Sequence, residues 1–377
     1  MTAPITQVYD VVNSVVSQSM GITDLTAVDE TGLIALGNTI MNSSTFTNDF
    51  VEGLVDRIGK TIFSYRKYNN KFSGLMRDNF TWGAVLQKIK VDMPEAEIDE
   101  SYGLVDTKSI DMYKVAKPTA KQKLFYTQTP YQFHITIKRD TLKNAFTSES
   151  AMGSFISCIY GEVQNKIELA LEDMGRNCLN NYIGELSGGV REIKLVTEYN
   201  TLFPPIEPGS NLTATTAMQD VKFLKYASQR IQELSSLMTE MTQGIFNDNT
   251  VSRHTPKDLQ RMYILKKFSQ ALETNVLANA FHKEYDALGD YQEVNFWQSI
   301  QKPNEVNVNR ASDSANKNVK NIIGILMDYE AAGIYKTDEW TSSTPFNSAG
   351  GYMNTYWHEK NLYFNDLSEN GLILTLN

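Results

Sequence analysis

The sequence is poor in cysteine. Only Cys158 and Cys178 occur among its 377 residues, which excludes the disulfide framework of a small extracellular protein. Both cysteines fall in one predicted long helix, about 30 Å apart at 1.5 Å per residue, and therefore cannot bridge within one chain. We expect reduced thiols in the core of a cytoplasmic product.

Basic residues are missing from the first part of the chain, since residues 1–56 contain no Lys or Arg. This absence excludes both the basic start of a signal peptide and an Arg-rich transit peptide. Long apolar runs are absent as well, because none approaches the roughly 20 residues of a membrane-spanning helix. We therefore expect a soluble intracellular protein without a membrane partner.

Motifs of catalysis and of cofactor binding are also missing. The phosphate-binding patterns GxGxxG and GxxxxGKS/T do not occur, nor do HExxH, CxxC and GxSxG. The histidines lack the spacing of metal ligands, and each is best explained as a surface or strand residue: His134, His254, His282 and His358. These absences predict a protein that is not an enzyme and that holds no cofactor and no metal.

The composition is that of a globular protein with an acidic surplus. Hydrophobic residues make up 41% and charged residues 21% of the chain, and the net charge is −9. Because nucleic-acid binding needs clustered Lys and Arg, the acidic surplus argues against simple nucleic-acid recognition. The length allows two or three domains, or one core with large excursions.

An extended loop is predicted at residues 66–125. Within it Val85, Ile89, Val91 and Met93 alternate with polar residues, which is the pattern of a half-buried strand. The predicted tip at 92–111 is acidic and includes Glu95, Glu97, Asp99 and Glu100. The returning limb has no acidic residue between 112 and 139 and is basic at Lys114, Lys117, Lys121 and Lys123.

Two interpretations of these charge blocks stay open: a solvated loop, and a charge-complementary hairpin that docks on neighbouring subunits. At 3.3 Å per residue, two limbs of about 20 residues would reach on the order of 60 Å. The acidic cluster could also bind a hard cation, but it lacks the glycine turn of a calcium loop. We predict intersubunit contacts at both blocks.

Other elements follow from periodicity and caps. Residues 1–47, rich in Ser, Thr, Asn and Val, predict an extended arm with short local elements. A helix is predicted from Asn48 or Asp49 to Ile58. Apolar residues recur every three or four positions from Ile156 to Tyr182, which predicts one helix over 150–183 that ends at Gly184.

Residues 190–330 predict a separate α+β unit. Its predicted elements are a strand at 192–196, a helix at 218–241, a helix that starts at Thr255-Pro256 and leads to Phe281, and a strand at 322–327. Strand-like sequence follows at 351–358 and 361–364, and a last strand at 372–376 follows an Asn370-Gly371 turn.

This order of elements resembles the major capsid proteins of tailed bacteriophages with the Hong Kong 97 capsid fold. Three segments resemble the capsid proteins of small picovirus-type podoviruses: Asn48–Phe50 with Leu54–Gly59, then Asp140–Phe146, and Val276–Phe281. Their order and spacing along nearly the whole chain carry the resemblance.

The resemblance implies an α+β fold with five regions. They are an N-terminal arm and first helix (1–65), an extended β-loop that overlaps a neighbouring subunit (66–125), a peripheral domain with the spine helix (126–189), an axial domain around the capsomer centre (190–330), and C-terminal strands that return to the peripheral sheet (331–377). No immunoglobulin-like domain and no long charged helical N-terminal extension are expected.

The function implied by the resemblance is that of a major capsid protein. Such a protein self-assembles into pentamers and hexamers of an icosahedral or prolate head around double-stranded DNA, in the host bacterial cytoplasm. Further implied partners are a separate scaffolding protein, a portal protein at one vertex, and packaged DNA through weak non-specific contact.

Other functions stay open from the residues alone. A nanocompartment shell of the same fold would enclose an enzyme cargo, and a portal or tail protein would be another virion part. An enzyme with an unfamiliar site finds support only in the pair His358-Glu359 and in the acidic tip. Adjacent strand residues point to opposite faces, however, so that pair is a weak signal.

Overall fold

A computed structural model describes residues 5–19, 21, 26–58, 70–77, 85–92, 106, 109, 111, 113, 115, 117–126, 128–204, 211–248, 251–274 and 291–377. The chain divides into two compact units, each built from three stretches. Unit 1 comprises Met1–Trp82, Gln128–Met174 and Tyr335–Asn361. Unit 2 comprises Gly83–Thr127, Gly175–Ile334 and Leu362–Asn377.

The helices of the described residues are α1 (Ile5–Ser19), α2 (Glu30–Met41), α3 (Ser44–Ile58), α4 (Arg139–Ala145), α5 (Glu149–Leu186), α6 (Leu195–Leu202), α7 (Ala214–Ala217), α8 (Val221–Leu237) and α9 (Lys266–Leu272). The strands are β1 (Met76–Arg77), β2 (Leu86–Asp92), β3 (Thr119–Phe125), β4 (Gln128–Lys138), β5 (Glu192–Lys194), β6 (Gln260–Leu265), β7 (Gln292–Val294), β8 (Val306–Asn309), β9 (Asn316–Val319), β10 (Ile322–Asp328), β11 (Ala332–Ser343), β12 (Tyr352–Asn365) and β13 (Gly371–Thr375). No helix within these ranges is long and apolar enough to cross a membrane.

The expectation of an extended arm over residues 1–47 was wrong, because α1, α2 and the start of α3 occupy most of the described residues in this range. Valines of α1 at positions 8, 11, 12, 15 and 16 are all at most 5% exposed and pack into the core of unit 1. Tertiary packing therefore outweighs the modest helix propensity of valine. Asp29 caps α2 by accepting a hydrogen bond from the Gly32 backbone N–H at 2.7 Å. Helix α3 begins at Ser44, ahead of the expected cap at Asn48 or Asp49.

Unit 1 has a mixed helix and sheet core. Its sheet has the strand order β1-β11-β12-β4. Ile137 of β4 and Met353 of β12 are buried in one cluster with Phe50 and Leu54 of α3. Arg139, the first residue of α4, donates from its guanidinium to the Met41 carbonyl at 3.0 Å.

The predicted long helix is present as α5, from Glu149 to Leu186. Residues up to Met174 belong to unit 1 and the following residues to unit 2. The helix was expected to end at Gly184. In the structure it continues to Leu186, and Gly184 lies inside its last turn. A Cβ at this position would collide with Val308, so the glycine permits close packing of the strand β8.

Unit 2 is built on a five-stranded sheet with the order β5-β13-β10-β6-β7. The central strand β10 is buried along its whole length, which explains its almost continuous apolar sequence. It pairs antiparallel with β13 and with β6. Apolar residues of α6, α8 and α9 pack with the sheet in a second core, which includes Phe223, Ile231 and Phe268.

One prediction in unit 2 was wrong in the type of element, and another was right in type but too long. Thr255-Pro256 leads into a 3₁₀ turn and then into strand β6, not into a helix, because Met262–Leu265 are buried in the sheet. The predicted strand at 192–196 is cut short, since α6 begins at Leu195. Residues 275–281, the expected end of the second helix, lie outside the described residues.

The C-terminal strands divide between the two sheets. Strands β11 and β12 lie in the four-stranded sheet, whereas β13 lies in the five-stranded sheet beside β10 and β5. Strand β10 and strand β13 were predicted within one residue of their bounds. The division of the chain at residues 65, 125, 189 and 330 stays a prediction.

Candidate interaction site

Residues 86–92 and 119–125 form an antiparallel hairpin within unit 2. Strand β2 was predicted at nearly these positions, and its partner is β3. The register runs from Leu86 opposite Phe125 to Asp92 opposite Thr119. Because side chains alternate along a strand, the hairpin has two distinct faces.

One face of the hairpin is exposed, and we call it the outer face. It carries Gln87 and Gln122 and five large apolar side chains: Val85, Ile89, Val91, Leu124 and Tyr126. The exposed fractions of these side chains range from 48% at Val85 to 70% at Tyr126. The sequence predicted a half-buried strand from Val85, Ile89, Val91 and Met93. In the single chain the first three of these side chains are exposed, and Met93 lies outside the described residues. Five large apolar side chains exposed on one face are unusual on a surface that has no partner.

The opposite, inner face carries Lys88, Lys90 and Lys123, together with the exposed Lys121. The side chains of Lys88, Lys90 and Lys123 are more buried than the apolar ones of the outer face, and that of Lys90 is only 6% exposed. Buried ammonium groups require partners that carry the opposite charge. Those partners come from the segment that joins β12 to β13.

Asp366 and Glu369 in that segment bind all three lysines, and we call the five residues the lysine–carboxylate cluster. The Nζ atoms of Lys88 and Lys123 lie 3.3 Å and 2.9 Å from the Asp366 carboxylate. Lys90 Nζ lies 2.8 Å from Glu369 Oε1 and 3.6 Å from Asp366 Oδ2. Asp366 is therefore shared by lysines of both strands.

Further residues of unit 2 surround the cluster. Lys88 also donates to the Glu330 carbonyl at 2.8 Å, and Lys123 reaches Asp248 at 3.5 Å. Arg253 Nε lies 3.4 Å from Glu369. Opposite charges thus face each other throughout, so the hairpin stem is held to its own chain by hydrogen-bonded ion pairs of low exposure.

The protonation of the cluster favours these contacts. Burial opposes ionisation of Asp366, but the Ser368 hydroxyl and the three ammonium groups outweigh it, so the pKa of Asp366 lies well below its ordinary range. For Lys123, burial favours the neutral form, but the hydrogen bond to Asp366 outweighs it and raises the pKa of Lys123. Both groups are charged over the physiological range.

The predicted contact residues fall into three groups. Lys117 and Lys121 are exposed, and Lys121 belongs to β3. Lys123 is bound to Asp366 of its own chain, which does not by itself test an intersubunit role. Glu95, Glu97, Asp99, Glu100 and Lys114 lie outside the described residues.

Sequence reasoning missed Lys88, Lys90, Asp366 and Glu369. The alternation of lysines with apolar residues in β2 was the available signal for two of them. Asp366 and Glu369 gave no signal, because more than 240 positions separate them from Lys123 or Lys88. Only the folded chain brings these charges together.

The other residues considered for catalysis or metal binding are not brought together in one site. His358 stacks on Trp340 with ring centroids 4.6 Å apart, whereas Glu359 is buried and pairs with Lys336, so the two neighbours do not form one site. Cys178 is buried as expected, but Cys158 is exposed and is not a core thiol. Among the described residues no group of His, Cys, Asp or Glu is arranged to hold a metal ion.

The family of the chain follows from its match to a family model. The family model of Phi29-like phage major capsid proteins matches residues 11–375. The chain belongs to this family. The predicted kinship with podovirus major capsid proteins is thereby confirmed. The description of the family, major capsid protein, agrees with the predicted structural role.

Curated relatives of the chain are described as major capsid proteins. The major capsid protein of Bacillus phage PZA is 25% identical over 295 residues, which cover 76% of the chain and 59% of the relative. That of Bacillus phage GA-1 is 23% identical over 282 residues, which cover 74% and 54%. The chain thus spans little more than half the length of these relatives.

Solved structures support the fold of this capsid-family chain. The capsid structure of Staphylococcus phage Andhra matches with a TM-score of 0.56 and 11% identity, covering 84% of the chain and 87% of its counterpart. A chain in a structure of the head fiber and inner core protein of native bacteriophage P68 matches with a TM-score of 0.55 and the same identity and coverage. The predicted α+β Hong Kong 97-like fold is confirmed.

Proposed function

We propose that the chain is the shell subunit of a phage head and self-assembles into pentamers and hexamers of an icosahedral or prolate capsid around double-stranded DNA. The observation that carries this proposal is the hairpin. Its lysine face is bound to the same chain, while its apolar outer face is exposed. Apolar and aromatic side chains grouped on one face are typical of the centre of a protein interface.

The fixed stem of the hairpin supports assembly because it lowers the entropy cost of binding a partner. A flexible loop must be ordered when a partner binds, and this ordering weakens the association. The ion pairs to Asp366 and Glu369 hold the stem of this hairpin in the free chain. A second copy that covers Ile89, Val91 and Leu124 would then gain the burial of apolar surface without ordering the stem.

The predicted contacts at the loop belong to the same proposal. Lys117 and Lys121 are exposed on or beside β3 and can meet acidic groups of a neighbouring copy. Lys114 and the acidic residues Glu95, Glu97, Asp99 and Glu100 are proposed to take part in the same intersubunit contact. Lys123 contributes through the position of the stem.

The proposal includes the remaining partners. A separate scaffolding protein would guide assembly, and a portal protein would occupy one vertex, in the host bacterial cytoplasm. The net charge of −9 supports weak and non-specific contact with packaged DNA, because a strongly basic wall would bind phosphates tightly.

Electron microscopy of the purified full chain, alone and together with a candidate scaffolding protein, tests this function. Closed shells built from pentamers and hexamers are expected. Rings of about a dozen copies would indicate a portal, and a small soluble oligomer under all conditions would contradict the shell. Nucleic acid inside particles from infected cells is expected, whereas a protein cargo would favour a nanocompartment.

A further inference from the structure

The strands of the hairpin bring like charges together. Lys88 lies directly opposite Lys123, and Lys90 lies directly opposite Lys121. Like charges at opposite positions of an antiparallel pair destabilise it, and an isolated two-stranded hairpin is at best marginally stable. The pairing of β2 with β3 therefore does not by itself explain a hairpin of fixed direction.

Asp366 is placed to remove this repulsion. Its side chain is 0% exposed and contacts Lys88, Lys90 and Lys123, so one carboxylate joins both strands. The residue is itself fixed, because its backbone N–H donates to the Ala331 carbonyl at 2.7 Å. The Ser368 backbone N–H and hydroxyl donate to its Oδ1 at 3.0 Å and 2.6 Å.

We infer that Asp366 is a positioning residue, which sets the direction of the hairpin in the free subunit so that the outer face is presented to a second copy. This inference rests on the proposed function. Asp366 touches only the inner face and acts on assembly through the three lysines. Phe125 of the hairpin packs on Phe364 with ring centroids 5.2 Å apart, which adds an apolar contact to the same anchor.

Replacing a positioning residue and replacing a residue that stabilises the whole fold should change amide exchange in different parts of unit 2. A residue that merely stabilises the fold would, when replaced, speed amide exchange throughout unit 2. A positioning residue would speed exchange mainly in β2 and β3, because those strands lose their anchor while β6 and β10 keep their own pairing.

The experiment is hydrogen–deuterium exchange on the full chain below its assembly concentration, combined with light scattering as concentration rises. In Asp366→Asn, amides of β2 and β3 are expected to exchange at least about tenfold faster, since a buried pair is broken. Amides of β6 and β10 are expected to keep their rates, and assembly to begin at a higher concentration. Glu305→Gln, which removes an exposed ion pair with Lys302, is the matched control and should change neither.

A second variant covers the case in which Asp366→Asn unfolds the whole chain. Lys123→Met removes one pair whose lysine is 38% exposed and leaves Lys88 and Lys90 on Asp366. It should speed exchange in β2 and β3 alone. Wild-type exchange in the hairpin of either folded variant would overturn the inference, whether or not the wild type assembles. Failure of the wild type to form shells would instead overturn the proposed function.

Discussion

Lys88 and Lys123 lie opposite each other across β2 and β3, and both reach the carboxylate of Asp366, at 3.3 Å and 2.9 Å. These two like charges would repel each other in an isolated hairpin. Here both form ion pairs with the buried Asp366, and we call this three-residue contact the clamp. The clamp holds the stem by its charged face and leaves the apolar face free for another copy.

Charge reversal at two lysines should separate assembly from folding. Lys123→Glu places a carboxylate against Asp366 and Asp248, so the free energy of unfolding is expected to fall by about 1–3 kcal/mol. Lys117→Glu, at an exposed position, should leave that free energy within about 0.5 kcal/mol but weaken assembly. Chemical denaturation and light scattering measure the two effects. Normal assembly of Lys117→Glu would show that this lysine is merely solvated.

The stability that Asp366 contributes should depend on pH in one direction. Its pKa is lowered in the folded chain from about 3.9 in the unfolded chain, so its contribution is complete above that value and is lost as the pH falls toward the folded pKa. At pH 7 the variant Asp366→Asn should unfold with about 3 kcal/mol less free energy than the wild type. The difference should shrink below about pH 4.

Urea unfolding at a series of pH values measures this difference. Glu305→Gln is a suitable control, because Glu305 forms a surface ion pair with Lys302 and its variant should stay close to the wild type across the series. A difference between Asp366→Asn and the wild type that stays constant from pH 7 to pH 3 would show that the carboxylate charge is not the cause.

Gly37 of α2 should not tolerate alanine. A Cβ at this position would lie 2.6 Å from both Cβ and Cγ of Phe146, whose ring packs on Phe50 with centroids 5.3 Å apart. The clash is expected to cost about 1–3 kcal/mol, more than the roughly 0.5–1 kcal/mol that alanine gains in a helix. Gly153→Ala in α5 is the matched control, because its Cβ would meet only Val8 at an ordinary 3.4 Å. Thermal melting should show Gly37→Ala less stable and Gly153→Ala more stable than the wild type; equal melting temperatures would refute this packing.

The outer face should matter for assembly and not for the single chain. In the double variant Ile89→Thr, Val91→Thr, both positions keep a β-branched side chain but lose apolar surface. The free energy of unfolding should change by less than about 1 kcal/mol, because both side chains are exposed. The concentration at which assembly begins should rise about tenfold or more, since the interface loses apolar burial. Val190→Thr, at a side chain 79% exposed outside the hairpin, is the control; an equal defect there would show that the effect is not specific to the hairpin.

Elements with a sustained period were predictable from the sequence. The three-to-four-residue spacing from Ile156 to Tyr182 predicted α5 to within three residues at each end. The almost continuous apolar run of β10 was predicted as a strand, because burial on both faces leaves little room for polar residues. Helix α1 was missed, although Val8, Val11, Val12, Val15 and Val16 follow a helical spacing, since their β-branched side chains favoured extended chain.

The hairpin shows why the site was harder to predict than the fold. Alternation in β2 correctly predicted a strand with two faces, but not which face the chain buries. That choice depends on Asp366 and Glu369, which are distant in sequence and meet the lysines only after unit 2 has formed. The apolar side chains of the outer face are left exposed, and their proposed partner is a second copy of the chain.

The most direct test of the account is a cryo-electron microscopy reconstruction of particles assembled from the full chain. The account predicts closed shells in which Ile89, Val91 and Leu124 are covered by a neighbouring copy, while Lys123 still contacts Asp366 of its own chain. Shells in which the outer face is exposed to solvent, or in which the hairpin has left Asp366, would contradict it.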